Sequence, residues 1–380
     1  MTRLTRRRTL ALVGGGVILA AGAGAVELGV PPLQARAPWR LAGDYDDPRL
    51  RALSWAILAP NPHNQQPWLV DIGTPDTVVL YANPEKLLPH TDPFSRQIVI
   101  GLGCFLETLA IAAAEEGYAV TTELFPEGSD ARALDARPVA IARFAAGAAE
   151  PDPDFAQIAH RRTQKEPYAE RIVPDALLAE VLAAGRHGVR FDGTNDPERI
   201  GQLIDLSVAA FDIELRTPRT YRESVDVFRI GRAEINAQPD GIDLGGPMFQ
   251  ALGRLGLLTR ETALDPEGIV FRSGYDAVMA NVTTAGGHVW LCTQGNTRAD
   301  QIAAGRDWMR FHLAATRVGL GVQPLSQALQ EYSEMAPLYT DVHGRLANPG
   351  ETVQMWARVG FAPDVPPSPR WPIEAKVVNA

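Results

Sequence analysis

The stretch that decides the fold is Ala59-Pro60-Asn61-Pro62-His63-Asn64-Gln65-Gln66-Pro67-Trp68. It combines short amide side chains and constrained prolines with a Gln-Pro-Trp exit. A loop of this composition can press backbone and amide groups against a flat heteroaromatic ring. Pro67 and Trp68 alone are more typical of a core anchor at a strand entry, so the residues from Asn61 to Asn64 carry the functional interpretation.

A second informative segment, Arg161-Arg162-Thr163-Gln164-Lys165, lies far along the chain. An extended backbone sends alternate side chains to one side, so Arg161, Thr163 and Lys165 are predicted to converge. Two cations and a hydroxyl suit a phosphate monoester, because charge-assisted hydrogen bonds are the strong ones. A lone Arg pair is usually a solvated helix end, so only the two segments together indicate a flavin site.

Together the two segments resemble the nitroreductase superfamily of FMN enzymes, which carry an Arg-x-Ser-x-Arg/Lys phosphate motif and a Pro-Ser-x-x-Asn-x-Gln-Pro-Trp loop. In that family two subunits dimerise, and each FMN lies between the motif of one subunit and the loop of the other. Here the order is inverted, because the loop precedes the motif. The chain is similar to the exported Acg-like FMN-binding branch, and the resemblance implies a fused pseudo-dimer with one FMN site.

Two further segments complete the site that the resemblance implies. The family's turn after the long helix directs a backbone N–H at flavin N5; Gly321 to Gln327 stands in that position here and departs from the family pattern at Gln327. Ser368 and Arg370 stand where the family has a basic pair at the phosphate. The predicted FMN-binding residues are Pro60, Asn61, Pro62, His63, Asn64, Gln66, Arg161, Thr163, Lys165, Pro324, Leu325, Ser326, Ser368 and Arg370.

The element pattern predicts an α+β fold of nitroreductase type, with two fused half-repeats. Each half is expected to hold a small mixed or antiparallel sheet flanked by helices around a long central helix. Helices are predicted at 48–59, 95–116, 154–160, 175–184, 197–215, 221–237 and 298–318. Strands are predicted at 68–72, 77–81, 119–124, 138–144, 288–293 and 352–359. The proline-rich tail at 366–372 is predicted to be extended.

An internal repeat supports the fusion independently of any family. A shift of 204 residues superposes Gln97-Ile98 on Gln301-Ile302, Gly101 on Gly305, Leu109-Ala110 on Leu313-Ala314 and Gly117 on Gly321. This pattern predicts a duplication, with one half at 36–148 and the other at 149–380. The central helices should then pack near a pseudo-twofold axis, and the chain is expected to be a monomer.

Within the second half, the segment 217–287 has no place in a minimal lobe of this kind. We interpret it as a lid, with 238–246, which is rich in Gly and Pro, as its mobile part.

The first thirty residues are predicted to be an export signal. Arg7 and Arg8 precede Leu10 and an uncharged run to Val26, which is typical of the twin-arginine route. An uncleaved membrane anchor is the alternative, because the run is near the lower length limit for crossing a bilayer. The protein is therefore expected in the periplasm or cell envelope, with the twin-arginine machinery as a partner.

Composition excludes some classes of function. The chain has 380 residues, 46% of them hydrophobic, and a net charge of −9, which argues against a nucleic-acid partner. Two cysteines give no disulfide framework, and the histidines show no metal-ligand spacing, so no metal site is predicted.

The chemistry that the resemblance implies is electron transfer from a reduced donor, such as NAD(P)H, to a nitro or quinone compound. The flavin carries that chemistry itself, so no residue is predicted to be catalytic. Nicotinamide cofactors are scarce outside the cytoplasm, which leaves a flavin-binding or flavin-sequestering protein without turnover as the alternative. A surface protein with no cofactor is a third hypothesis.

Overall fold

The computed structural model describes residues 29–380. The twin-arginine motif and the apolar run to Val26 lie outside these described residues. The helices are α1 (Pro38–Leu41), α2 (Pro48–Ala56), α3 (Arg96–Glu115), α4 (Asp175–Leu182), α5 (Pro197–Arg216), α6 (Pro218–Asp226), α7 (Gly231–Ala237), α8 (Pro247–Arg254), α9 (Arg260–Leu264), α10 (Ile269–Val282), α11 (Arg298–Arg317) and α12 (Ala336–Leu346).

The strands form two main sheets and one small ribbon. They are β1 (Trp68–Asp71), β2 (Thr77–Ala82), β3 (Tyr118–Leu124), β4 (Ala140–Ala146), β5 (Arg190–Thr194), β6 (Phe228–Ile230), β7 (Ile242–Leu244), β8 (Gly287–Thr293), β9 (Gly321–Pro324), β10 (Thr352–Gly360) and β11 (Val377–Asn379). The first sheet has the order β11-β1-β2-β4-β3 and the second the order β5-β8-β10-β9. Neighbouring strands are antiparallel in both, except that β11 joins β1 in parallel. The predicted α+β class is confirmed.

The two long helices α3 and α11 occupy the centre of the molecule, and most of their residues are buried. They cross where Gly103 meets Gly305. A Cβ on Gly103 would clash with Ile302 O and lie 2.9 Å from the Cα of Gly305. A Cβ on Gly305 would clash with Ile100 O and lie 2.9 Å from the Cα of Gly103. The reciprocal contacts place a local twofold relation at this crossing.

The same relation extends to the sheets. Each central helix is preceded by a strand pair, β1 and β2 or β5 and β8, and is followed by another, β3 and β4 or β9 and β10. The order β3-β4-β2-β1 in one sheet corresponds to β9-β10-β8-β5 in the other. The fold therefore consists of two topologically equivalent halves, with β11 added to the first sheet.

The helix contacts define a register that differs from the predicted one. Helix α3 begins at Arg96 and α11 at Arg298, an offset of 202, and the reciprocal glycine contacts obey that offset. The sequence shift of 204 pairs Gly101, not Gly103, with Gly305. A slip of two residues is easily produced by alanine- and glycine-rich helices, and the duplication itself stays a prediction.

Most predicted elements agree with the structure to within a few residues, but two helices do not. The segment 154–160 holds only a short 3-10 turn, Phe155–Gln157. The segment 221–237 is divided into α6, β6 and α7, because the β-prone run Phe228–Ile230 pairs with β7. Gly231 then starts α7 with φ +76, a backbone conformation that favours glycine.

Helix α3 is long and apolar enough to cross a membrane, yet 83% of its most apolar window is buried inside the protein. It packs chiefly against α11 and α2. These contacts make it the core helix of the first half.

The helix crossing generates a stability prediction. Gly305→Ala should destabilise the protein by about 1–3 kcal/mol or more, because the new methyl group meets backbone atoms that cannot rotate away. Urea unfolding followed by circular dichroism measures the effect. Gly201→Ala is the matched control, since a Cβ on this α5 glycine meets nothing within 4 Å, and it should be neutral or stabilising by up to about 1 kcal/mol. A Gly305→Ala protein as stable as the wild type would contradict the crossing.

Candidate functional site

The loop between α2 and β1 is held in a costly conformation. His63, Asn64 and Gln66 have φ values of 45, 53 and 52, although none is glycine. Left-handed backbone costs about 1–2 kcal/mol for each such residue. Strain of this kind persists only where the surroundings fix it, and it concentrates at ligand sites. The loop lies on the first turns of α3, where a Cβ on Gly101 would come within 3.2 Å of Asn61 and Pro62.

Gln66 is the residue that fixes this loop. It is fully buried, and its amide N–H donates to Asn61 Oδ1 at 2.7 Å. Its side chain accepts from the backbone N–H of Trp371 at 2.9 Å and donates to Pro239 O at 2.7 Å. Its carbonyl accepts from Lys376 Nζ at 2.8 Å. Gln66 therefore connects its own loop to the segment at Pro239 and to the tail at Trp371 and Lys376. These bonds fix the shape of the loop.

The tail reaches the same loop through Arg370, which is buried. Its guanidinium donates to the three carbonyls that end α2, those of Ile57, Leu58 and Ala59. It also donates to Asn64 Oδ1 and to Ser368 Oγ. These acceptors leave Arg370 little free donor capacity, so its contacts are those of a clamp between loop and tail.

Arg161 shares an acceptor with Arg370, because both donate to the carbonyl of Leu58. Its Nη2 donates to Leu58 O at a long 3.3 Å, and its Nη1 lies 3.4 Å from His312 Nδ1. His312 Nε2 lies 2.8 Å from Arg162 O, which indicates that Nε2 carries the proton and that Nδ1 accepts. Burial, together with Arg161, lowers the pKa of His312 well below its usual value, so the ring is neutral. The neutral imidazole orients Arg161 without neutralising it.

The positive charge of this region is uncompensated. Within residues 29–380, no carboxylate lies within 4.0 Å of Arg161, Arg162 or Arg370. Burial, reinforced by Arg162, lowers the pKa of Arg161 to about 10. Burial, then Arg161 and Arg162, lowers the pKa of Arg370 as well. An anion bound beside Arg161 would relieve this repulsion, whose cost is large inside a protein.

Thr163 and Lys165 connect the same segment to the predicted N5 turn. Thr163 forms a parallel bridge with Val322, and the amide of Gln164 donates to Val322 O at 2.9 Å. Because the two segments run in the same direction at this bridge, Lys165 follows Thr163 toward the end of β9. The motif is thus extended alongside β9 only from Thr163 onward. Arg161 instead closes a helical turn, with its amide donating to Gln157 O at 2.9 Å.

Lys165 lies in a recess. Its side chain is accessible to solvent, yet protein surrounds it closely enough that desolvation lowers its pKa. We use the word recess for the surroundings of Lys165, which include His63, Glu214 and Asp243. His63 faces Lys165, and burial followed by this cation lowers the pKa of His63 to about 4. Glu214 and Asp243 are the carboxylates whose charges act most strongly on Lys165.

Several polar atoms around this recess lack a partner in the part of the chain that the structure describes. They are buried atoms on the loop, on the segment after β9 and on β7: His63 Nδ1, Gln65 Nε2, Gln327 Oε1, Gln330 Oε1, Tyr332 OH and Asp243 Oδ1. Buried polar groups are normally satisfied, so such a cluster indicates a polar ligand. The set contains both hydrogen-bond donors and hydrogen-bond acceptors. A heteroaromatic ring that carries carbonyl and N–H groups needs partners of both kinds.

The segment 238–246 covers the loop. The amide of Gly241 donates to Asn64 O at 3.1 Å. Asp240 is buried and pairs with Arg229 at 2.6 Å and Lys86 at 2.7 Å. It also accepts from Trp371 Nε1 at 2.9 Å. These bonds anchor the segment that the sequence predicted to be the mobile part of a lid.

The predicted residues thus fall into adjoining groups. Of the loop residues Pro60, Asn61, Pro62, His63, Asn64 and Gln66, Asn64 accepts a hydrogen bond from Arg370 of the tail, and Arg370 in turn donates to Ser368. Arg161 meets the same loop at Leu58, and Lys165 meets it at His63. Thr163 and Lys165 run toward Pro324, Leu325 and Ser326. Arg161, Thr163 and Lys165 have different neighbours, so their convergence on one phosphate stays a prediction.

Four residues of the site were not predicted from the sequence: Arg36, Glu214, Asp243 and His312. Arg36 pairs with Asp243 at 3.3 Å. Each stands in an otherwise ordinary segment, far from the motifs along the chain. The sequence offered one indication of these residues. The segment 217–230 separates α5 from α7, and an insertion at this place is expected to pack against another part of the protein.

Comparisons with known proteins agree with the resemblance. No family model matches the chain. The "Putative NAD(P)H nitroreductase Rv3131" of Mycobacterium tuberculosis is 25% identical over 330 residues, which cover 84% of this chain and 87% of the relative. The "Putative NAD(P)H nitroreductase acg" of the same organism is 27% identical over 336 residues, or 85% of this chain and 93% of the relative.

Two solved structures were also compared. The FMN-dependent nitroreductase NfnB from Mycobacterium smegmatis has a TM-score of 0.33 at 16% identity, covering 54% of this chain and 86% of its own. A nitroreductase from Anabaena variabilis has a TM-score of 0.39 at 13% identity, covering 80% of this chain and 82% of its own. The relatives that extend along most of the sequence confirm the predicted resemblance of the chain to the nitroreductase superfamily.

Proposed function

We propose that the protein is an FMN-dependent oxidoreductase, with one FMN bound between its halves and NAD(P)H as electron donor. The observation that carries this proposal is the uncompensated cationic cluster around Arg161 beside a strained loop and a polar recess. A phosphate monoester carries close to two negative charges at neutral pH. It is therefore the group that this cluster lacks.

The residues present fit FMN. Arg161, with Thr163 of the same segment, would hold the phosphate, and the first-half loop would lie against the ring. Within residues 29–380, His63 Nδ1 and Gln65 Nε2 of that loop have no hydrogen-bond partner, and Lys165 supplies a cation near His63. When bound, FMN supplies hydride transfer at N5. The backbone at Leu325 and Ser326 would then orient that edge of the ring.

The relatives support the choice of donor. Rv3131 and acg are both named as NAD(P)H nitroreductases, and each match covers more than four-fifths of this chain. Nitro and quinone compounds are the acceptors that we propose on this basis. The halves of one chain supply both the loop and the motif, so the protein should act as a monomer.

A second function is favoured by one observation. The segment 238–246 is bonded over the loop through Gly241 and Asp240. A covered ring would suit flavin storage without turnover. Redox activity and storage predict the same FMN site but different responses to reductants.

We also propose export by the twin-arginine route to the periplasm or cell envelope. The support is the sequence Arg7-Arg8 with its apolar run. This route carries folded proteins, so FMN would be acquired before export.

Binding of FMN can be tested at the two free cations. Arg161→Ala combined with Lys165→Ala should weaken FMN binding by about a hundredfold or more, because each charge-assisted hydrogen bond contributes about 1.5–3 kcal/mol. Fluorescence titration of cofactor-free protein measures the dissociation constant, and circular dichroism checks that the variant is folded. Arg40→Ala combined with Arg143→Ala removes two exposed cations elsewhere and should leave affinity unchanged. Wild-type affinity in the first variant would exclude the assigned phosphate site.

Turnover can be separated from storage by anaerobic reduction of the yellow protein. The oxidoreductase predicts that NADPH or NADH bleaches the flavin absorbance within seconds to minutes. Storage predicts bleaching by dithionite alone and no reaction with nitroaromatic compounds. Free FMN with the same reductants is the control.

A further inference from the structure

We propose that Glu214 is the proton donor to a quinone-class acceptor in the oxidative half of the reaction. This inference rests on the proposed FMN oxidoreductase function and deepens it, because it names a residue and an acceptor class for the same site. The argument comes from the position of Glu214, the lack of a cation in direct contact with it among residues 29–380, and its unpartnered neighbours.

Glu214 lies near the C-terminal end of α5, which packs against the 3-10 turn Gln327–Leu329. Its carboxylate accepts from Gln330 Nε2 at 2.9 Å, and the side chains of Gln327 and Ser224 also donate to it. That turn directly follows Leu325 and Ser326, the predicted N5 contact. Glu214 is therefore held on the side of the site where hydride transfer takes place.

No cation is in direct contact with the carboxyl group within the described residues. It is 5% exposed, and in the described region no Lys or Arg lies within 4.0 Å of it. The titratable groups that face it are Lys165, Glu223 of α6 and Tyr332. Burial, with a smaller contribution from Glu223, raises the pKa of Glu214 to about 6. An acid of this strength holds its proton in part near neutral pH, as a general acid must.

Unpartnered atoms beside Glu214 provide the independent sign of a ligand. Gln327 Oε1 and Gln330 Oε1 are buried and without a partner among residues 29–380, and Tyr332 OH, which is buried beside Thr220, has no partner there within the geometric limits of a hydrogen bond. Tyr332 OH and a protonated Glu214 can both donate to a carbonyl oxygen. A quinone presents such an oxygen on a flat ring that can stack on a flavin.

The proton balance requires such a donor. Reduction of a quinone to a hydroquinone takes up two electrons and two protons. The hydride supplied by reduced FMN carries both electrons and one proton. The O–H bond of Glu214 breaks as the second O–H bond of the hydroquinone forms, and the resulting carboxylate regains a proton from solvent.

The test compares Glu214→Gln with the wild type, both loaded with FMN and reduced by dithionite. Mixing with 1,4-benzoquinone in a stopped-flow instrument should reoxidise the variant about a hundredfold more slowly, within the usual range for general acid catalysis. Ferricyanide takes electrons without a proton at the product, so its reaction should be unchanged. If Glu214 had only a structural role, its substitution would slow the reactions with 1,4-benzoquinone and with ferricyanide alike. Glu214→Asp should recover part of the quinone rate.

Two further readouts do not depend on turnover rates alone. The rate at which quinone reoxidises the wild type should fall as pH rises through about 6, because the Glu214 carboxyl group then loses its proton. The rate for Glu214→Gln should not depend on pH in this range. The infrared carbonyl band of a protonated carboxylic acid, recorded on cofactor-free protein, should be present in the wild type below pH 6 and lost in Glu214→Gln. Asp205→Asn, an exposed change on the same helix, is the control and should behave as the wild type throughout.

The outcomes separate this proposal from the one that it rests on. An FMN-loaded Glu214→Gln protein reoxidised by quinone at the wild-type rate would overturn the role of Glu214 alone. Equal slowing with quinone and ferricyanide would overturn it as well. A wild-type protein that binds no FMN would overturn both proposals.

Discussion

The close crossing of α3 and α11 at Gly103 and Gly305 is the contact on which the rest of the structure depends. Two glycines allow the helix backbones to meet with no side chain between them. This approach brings the end of α2 from the first half next to α11 from the second. Arg161, which His312 of α11 contacts, can then donate to Leu58 O, and the loop that follows Leu58 comes to face the segment 161–165. The candidate site, which we propose to lie between the halves, depends on this helix packing.

The two halves are equivalent in topology but not at their loops. In the first half, the segment between α2 and β1 is strained and bordered by unpartnered polar atoms. In the second half, the corresponding segment between α4 and β5 is tied to Asp307, which accepts from the amides of Arg186 at 2.6 Å and of His187 at 3.0 Å. Glu107 nearby is paired with Arg306 and Arg310. Hydrogen bonds to Asp307 and ion pairs of Glu107 thus satisfy these groups internally, and we propose that the loop of the first half is the side that takes a ligand.

The sequence was informative where a local rule decided the structure. The cap at Asp47 with Pro48 predicted the start of α2, and long apolar runs predicted α3 and α11. It was uninformative where distant segments decide the local conformation. The three-residue run Phe228–Ile230 became a strand because Asp240 pairs with Arg229 and the ribbon folds back. The role of Arg370 as a clamp depends on acceptors more than three hundred residues away, which no spacing rule reveals. Glu214 carries no motif at all, and only its burial beside Gln330 distinguishes it.

The central claim is that opposite halves of one chain share a single mononucleotide site. The most direct measurement is the ratio of flavin to polypeptide in the purified protein, from flavin absorbance after denaturation and from amino-acid analysis. The account predicts one FMN for each chain, in a protein that sediments as a monomer. A ratio of zero or of two FMN per chain would contradict it.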